Sequence, residues 1–283
     1  MVVLEAVAAT RLVGPRDAAD VRRVLGVDPL TSAFVAARIG AAGLDRWRLG
    51  AQLWGYPAVG PLRALCHAGA NLVPVLDDPG AAEAFAIRAA NEGRRCLSIV
   101  GPRAAVSAMW ERLAPGWGPA RDVRDHQPFL VIDAEPLVAS DPAVRRVRPE
   151  EMDALYPSSV AMFTEEVGIS PESVDGGAAY RASVTELVRS GRAFARFERG
   201  RVVFKAEVGV VAPGVCQVQG VWVAPGHRGR GLSEPGMAAV VRAVRAELAP
   251  AVTLYVNDYN QRARQAYAAV GFREHADFMS VLF

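Results

Sequence analysis

Lysine is nearly missing from this chain. Of 32 basic residues in 283, only Lys205 is a lysine and the rest are arginine. The skew reads as a high-GC coding bias rather than as a functional device. Cysteine is scarce as well. Cys66, Cys96 and Cys216 are an odd number and have no metal-ligand spacing. That excludes a disulfide-stapled scaffold and a zinc ribbon, and it fits free thiols in a reducing cytoplasm. No apolar run reaches membrane-spanning length without charges, and Met1-Val-Val-Leu-Glu has no basic leader. The expectation is a cytoplasmic protein without a membrane partner. Net charge is only +2, so no global field invites nucleic acid.

What is present is apolar: 51% of the residues are hydrophobic, enough for a substantial core. The length suits two medium domains. The first block runs to about Glu135. Helices are expected at 17–25 and 30–42, and strands at 47–56, 62–67 and 71–76. A helix at 81–91, a strand at 96–100, a helix at 103–113 broken by Gly116-Trp117-Gly118, and a strand at 129–132 follow. Trp110 sits at helical spacing from Val106 and Leu113 and reads as packing. His67, beside Cys66, has no second ligand at a useful spacing and reads as a strand-end residue.

A Pro-containing linker, 134–142, separates this block from the next. The second block opens with a strand at 144–147, a helix at 149–155 and a second helix at 158–167. A helix at 178–190 leads into antiparallel strands at 194–198, 202–211 and 215–223. The stretch that organises the chain comes next: Val215-Cys-Gln-Val-Gln-Gly-Val-Trp-Val-Ala-Pro-Gly-His-Arg-Gly-Arg-Gly-Leu-Ser233. An apolar strand runs into a basic, glycine-rich turn and then into a helix with Met237, Val240, Val241, Val244 and Leu248 on one face. A helix N-terminus offers unpaired N–H groups and the positive end of the dipole. Arg228 and Arg230 add fixed charge, so the turn is built for a phosphate group. Ser233 is expected to cap the helix. A strand at 253–257, a helix capped by Asn260 and ended by Gly271, and a strand at 278–283 closing the same sheet complete the block.

Arg228-x-x-Gly231-x-Ser233 resembles the acyl-CoA pyrophosphate loop of the GNAT N-acetyltransferases, whose pattern is Gln/Arg-x-x-Gly-x-Gly/Ala; serine replaces the last small residue. Leu254-Tyr-Val-Asn257-x-x-Asn260-x-x-Ala263-x-x-x-Tyr267-x-x-x-Gly271-Phe272 resembles the second motif of that family. The two occur in the family's order, and the resemblance covers Arg145 to the C-terminus. It implies an α+β fold, a mixed, mostly antiparallel sheet flanked by helices. The first block repeats the same order of elements and is expected to be a degenerate copy, of the kind that precedes GNAT domains in high-GC bacteria. Tandem domains at 1–136 and 144–283 follow. Where the second block has Arg-Gly-Arg-Gly, the first has Asp77-Asp78-Pro79-Gly80. Two carboxylates there suit a helix dipole but repel a pyrophosphate, so only the second block is expected to bind CoA.

The resemblance implies acetyl-CoA as co-substrate, no metal, and a small-molecule or peptide amine as acceptor. Arg228, Gly229, Arg230, Gly231, Leu232 and Ser233 would hold the pyrophosphate, with His227 at the solvent edge. Backbone of Val221, Trp222 and Val223 would line the pantetheine like an added strand and offer an N–H to the oxyanion. Asn257 and Asn260 would contact the cofactor, Asn260 also capping its helix. Tyr267 matches the family's general acid, the alternative being a tyrosine packed on its helix face. The general base stays open. The strand before the loop carries Cys216, Gln217 and Gln219 and no carboxylate, leaving Glu207, Glu166 and Glu165 as candidates acting through water. Cys216 as a nucleophile lacks a base partner. A non-catalytic acyl-CoA-binding regulatory module is the alternative reading. A transferase using aminoacyl-tRNA is disfavoured by the weak net charge.

Overall fold

The computed structural model describes residues 9–75, 78–173 and 175–283. Its elements run β1 (Arg11–Leu12), α1 (Ala18–Leu25), α2 (Ala33–Ala42), α3 (Arg46–Leu49), β2 (Gln52–Tyr56), β3 (Ala64–Ala68), β4 (Asn71–Val75), α4 (Pro79–Glu92), β5 (Ser98–Pro102), α5 (Arg103–Trp117) and β6 (Asp122–Ile132). They continue with β7 (Arg145–Arg146), α6 (Met152–Val167), α7 (Ala178–Arg189), β8 (Ala193–Glu198), β9 (Arg201–Ala212), β10 (Val215–Val223), α8 (Ser233–Glu247), β11 (Ala251–Tyr255), α9 (Gln261–Val270) and β12 (Arg273–Leu282). The α+β class and the mostly antiparallel sheets flanked by helices are as expected.

Contacts divide the chain into two compact units, and the division is not linear. One holds the described residues up to Phe129 together with Tyr255–Tyr259 and Glu274–Phe283; the other holds Leu130–Leu254 and Asn260–Arg273. A cut at 1–136 and 144–283 therefore misassigns the last strand. β12 does not close the second block's sheet. It pairs antiparallel with β5, Phe278 opposite Pro102 and Leu282 opposite Ser98, inside the first unit. The reason is burial: Met279 and Val281 complete the core around Ile99, Val106 and Met109.

In the first unit the strands are laid out β1-β2-β3-β4-β5-β12-β6. Alternation along each strand splits its side chains between two cores. Trp54, Ala64, Cys66 and Leu72 face α4 and α5 with Phe85 and Leu113. Leu53, Leu65, Val73 and Val75 face α1 and α2 with Val21, Val24 and Val35. Trp110 and Trp117 each meet Phe283 edge-on, centroids 5.7 and 5.6 Å apart, so these indoles are packing residues. β4 and β5 are parallel, with α4 as the crossover.

The second unit orders its strands β7-β8-β9-β10-β11. α6 and α7 cover β8 and β9 through Leu155, Val184, Val188, Ala193 and Val202. α8 is the crossover between β10 and β11, and Met237, Val240, Val241 and Val244 on it are fully buried. Each contributes about 1.5–3 kcal/mol by leaving water. Gly236 lets this helix approach β9, because a Cβ there would stand 2.8 Å from the Phe204 ring.

Other differences from the sequence expectation have local causes. The start of the strand expected at 47–56 is helical, because the Asp45 carboxylate caps α3 by accepting from the N–H groups of Trp47 and Arg48 at 2.9 and 3.0 Å. α5 runs on through Gly116 to Trp117 and ends at Gly118. The two helices expected on either side of Pro157 are one, α6, since Leu155, Tyr156, Ser159 and Met162 form a single buried face across it. β6 begins at Asp122 rather than Phe129, its first half masked by exposed charged residues.

Candidate functional site

The site in the second unit starts from how β10 and β11 part company. Three residue pairs register, Val215 with Ala251, Cys216 with Val252 and Gln217 with Thr253, and then the ladder stops although both strands continue. On its other side β10 pairs with β9, with register shifts after Gln217 and between Gln219 and Trp222. Gly220 lies in that second irregularity at φ +60, a conformation other residues rarely adopt. The result is two parallel strands that open beyond Gln217 and leave one edge of β10 from Val218 to Val223 outside that ladder.

That opening leads to the basic turn. A 3-10 turn, Pro225–His227, is followed by Gly229 at φ +73 and Gly231 at φ +66. Neither is crowded: a Cβ on Gly226, Gly229 or Gly231 would meet nothing within 4 Å. These glycines are needed for their backbone angles, and the space beside them is open to a ligand. Ser233 is not the cap. Leu232 occupies that position in a helical conformation, and its apolar side chain makes no cap hydrogen bond to the first turn of α8. Pro235 carries no N–H and the Gly236 N–H bonds the Leu232 carbonyl, so the N–H groups of Ser233 and Glu234, at the positive end of the helix, are the ones that suit an anion. Glu234 in the same turn is a feature that the sequence reading passed over.

Arg228 already has partners. Its Nε donates to the Val223 carbonyl at 3.0 Å, and its guanidinium meets Glu165 at 2.5 Å. Glu165 also accepts from the Trp222 indole at 3.3 Å, so α6, β10 and the turn are clipped together. Arg230 is exposed. His227 lies 3.5 Å from Glu198, and its Nδ1 is buried without a partner.

Tyr267 is buried on α9 beside Ala266 and Val270, edge-on to Phe272 at 5.8 Å. Burial, and next the charge of Glu166, push its phenol above the usual tyrosine range. Tyr180, which the sequence reading did not single out, is raised too: burial first, then Glu207, Tyr156 and Glu166. The charge of Glu166 thus acts on both Tyr267 and Tyr180, and that of Glu207 on Tyr180. Asn260 caps α9, accepting from the Ala263 N–H at 3.2 Å. Asn257 belongs to the segment grouped with the first unit, where its Oδ1 accepts from Gln127 and its amide donates to Tyr259.

Glu207 is buried and paired. Lys205 Nζ lies 2.6 Å from its Oε1, and Ser159 Oγ donates to it at 3.5 Å. Neither Ser159 nor Lys205 was picked out from sequence, although a single lysine among arginines is a visible signal. Cys216 is inert: burial pushes its thiol up to about 12. His67 likewise behaves as a strand residue, its Nδ1 at 3.3 Å from the Asn71 carbonyl and its imidazole shifted down by burial.

Among the described residues no group of three or more His, Cys, Asp or Glu side chains could hold a metal ion, and no helix is long and apolar enough to cross a membrane.

This architecture defines a class, the tandem GNAT-type α+β proteins. The comparisons agree. A GCN5-related N-acetyltransferase from Sphaerobacter thermophilus is 15% identical with a TM-score of 0.62, over 96% of this chain and 93% of that one. An acetyltransferase from the GNAT family of Colwellia psychrerythraea is 12% identical, TM-score 0.55, over 97% and 99%. A tandem GNAT protein from the clavulanic acid biosynthesis pathway is 13% identical, TM-score 0.54, over 96% and 98%. Such likeness shows the fold. Residues 162–272 match the acetyltransferase (GNAT) family, and residues 51–155 match a domain of unknown function, DUF4081. The chain is therefore similar to the GNAT acetyltransferases over residues 162–272 and to DUF4081 over residues 51–155. No curated protein matches it in sequence. Family and fold together support acyl transfer as its activity.

Proposed function

We propose that the second unit is an acetyl-CoA-dependent N-acetyltransferase acting on a primary amine of a small molecule or peptide. The observation that carries this reading is the parting of β10 from β11 after Gln217, above a helix whose first turn no side chain caps. A pyrophosphate fits the open glycines and N–H groups of Gly229, Gly231, Leu232 and Ser233, with Arg228 and Arg230 supplying charge. Pantetheine fits along the edge of β10 at Val221, Trp222 and Val223 as an added strand.

The chemistry then divides among this chain's residues. Glu166, through water, accepts a proton from the substrate ammonium and leaves a neutral amine. The amine nitrogen attacks the thioester carbon while the Val221 N–H donates to the carbonyl oxygen. The C–S bond breaks, the sulfur takes the phenolic proton of Tyr267, and the proton shed by nitrogen returns to the tyrosinate. Net, one proton leaves through Glu166. The burial that raises the Tyr267 phenol keeps it protonated until the thiolate forms, and it raises a thiolate beside it in the same way. Cys66, Cys96 and Cys216 are free thiols, in keeping with a reducing cytoplasm.

Calorimetry with acetyl-CoA, followed by release of CoA thiol against a panel of amines, tests this. The expected result is one-to-one binding and turnover that Tyr267→Phe lowers at least about tenfold while binding is kept. Binding without turnover on any amine supports instead a non-catalytic acyl-CoA module, a reading consistent with the engagement of Glu207 by Lys205.

A further inference from the structure

The mechanism above leaves one buried ion pair unused, and it contains the only lysine. Coding bias accounts for the arginines elsewhere; it does not account for the one position where lysine is kept. Lys205 is fully buried, its ammonium 2.6 Å from Glu207 and donating to the Gly220 carbonyl at 3.2 Å. Buried ion pairs contribute little net stability, because desolvation offsets their attraction. A structural role alone is a weak reason for this one.

Its position is informative. Lys205 registers with Trp222 and Glu207 with Gln219, so the pair brackets the irregularity holding Gly220 and Val221. The pocket is fitted to a slender ammonium. A Cβ on Gly220 would lie 3.0 Å from Glu207 Oε2, 3.1 Å from Met162 Cε and 3.2 Å from Lys205 Nζ. Arginine would bring five donors to a buried place where the acceptors shown are the Glu207 carboxylate and the Gly220 carbonyl. Glu207 is held in turn by Ser159 Oγ, and the Ser159 carbonyl accepts from Tyr180 at 2.9 Å.

We propose that Lys205 is a positioning residue for acyl transfer. Held by Glu207, its ammonium draws charge from the Gly220 carbonyl and polarises the Gly220–Val221 peptide, making the Val221 N–H a stronger donor to the thioester oxygen. A cation on one end of an amide strengthens the hydrogen bond donated from the other, most of all in a low-dielectric interior. The inference rests on the acetyltransferase reading above.

The test uses the full chain and acetyl-CoA labelled with carbon-13 at the carbonyl. Isotope-edited infrared spectroscopy reads the polarisation of that carbonyl in the bound state and needs no acceptor amine. Lys205→Met combined with Glu207→Gln removes both charges together, so no lone charge is left buried. Wild type is expected to lower the carbonyl frequency relative to free acetyl-CoA. In the double variant it should return most of the way, with acetyl-CoA affinity within about threefold and kcat down about tenfold. Should that variant not purify folded, Lys205→Gln with Glu207→Gln keeps an uncharged donor at the carbonyl, and the same return is expected. A folded double variant that binds acetyl-CoA with the wild-type frequency and kcat overturns the inference alone. Wild type that binds no acetyl-CoA overturns the acetyltransferase reading and this inference with it.

Discussion

The two halves of the chain build the same junction and finish it in opposite ways. Each has a parallel strand pair joined by a crossover helix, β4-α4-β5 and β10-α8-β11, and each pair soon loses register: two pairs in the first, three in the second. At the first junction the Asp78 carboxylate caps α4, accepting from the Ala81 N–H at 2.9 Å, and lies 3.3 Å from Arg63. Gly80 is crowded, with Tyr56 Oη 2.9 Å and Asp78 Oδ1 3.3 Å from where a Cβ would stand. Asp77, the other expected carboxylate, lies outside the described residues. At the second junction the helix is uncapped and its glycines face open space. The same strand-helix-strand arrangement thus has a self-satisfied helix end in the first half and a receptive one in the second. At the first junction the closure is made by the side chains of Asp78, Arg63 and Tyr56.

The largest expected effect comes from closing the open junction. Gly231→Asp forces a side chain onto φ +66 and sets a carboxylate among the N–H groups of α8. Acetyl-CoA binding measured by calorimetry should fall at least about a hundredfold while the melting transition stays cooperative, strain and repulsion each costing of order 1–3 kcal/mol. Wild-type affinity in that variant would mean that the donor binds elsewhere. A gentler version, Leu232→Asp, places the carboxylate at the helix-cap position that Asp78 holds at the first junction. A loss of about tenfold is expected, roughly what one unfavourable charge contact of 1.4 kcal/mol gives. Opening the closed junction should do less. Asp78→Ala removes a cap and should cost about 1 kcal/mol of stability in urea unfolding. The stoichiometry should stay at one acetyl-CoA per chain, since Tyr56 still fills the space; a second equivalent would show that the carboxylate alone keeps the first junction closed.

Most of this comparison was legible in the sequence because it is carried by residue types with strong local preferences. Glycines at positive φ, a basic turn, Asn260 at a helix start and a 3.6-residue period in α8 all declared themselves. What stayed hidden depended on contacts far apart in the chain. β12 reads as the last strand of the second block, and only the needs of the Ile99 core carry it to β5. Ser233 has cap chemistry, yet the turn from Gly229 to Gly231 delivers Leu232 to that position. Pro157 reads as a break, but the continuous buried face of α6 overrides it. The pairing of Glu207, a candidate base in the sequence, with Lys205 could not be read there, because the register that sets them together beneath Gly220 is a property of a bulged ladder, not of spacing.

The smallest effect probes the clip at the second junction. Arg228 is engaged by Glu165, so on the acetyltransferase reading a pyrophosphate would compete with a carboxylate for the same guanidinium. Both side chains of that pair are 44% exposed, which limits what the competition can be worth. Exposed pairs contribute about 0.2–1 kcal/mol, so Glu165→Gln should tighten acetyl-CoA binding by about two- to fivefold at low salt. The gain should shrink as ionic strength rises, because screening weakens the pair in wild type as well. Calorimetry of both proteins at low and high salt decides the matter. If Glu165→Gln instead weakens binding, Glu165 is holding Arg228 and Trp222 in the shape that the donor needs, and the clip belongs to the receptive junction rather than standing against it.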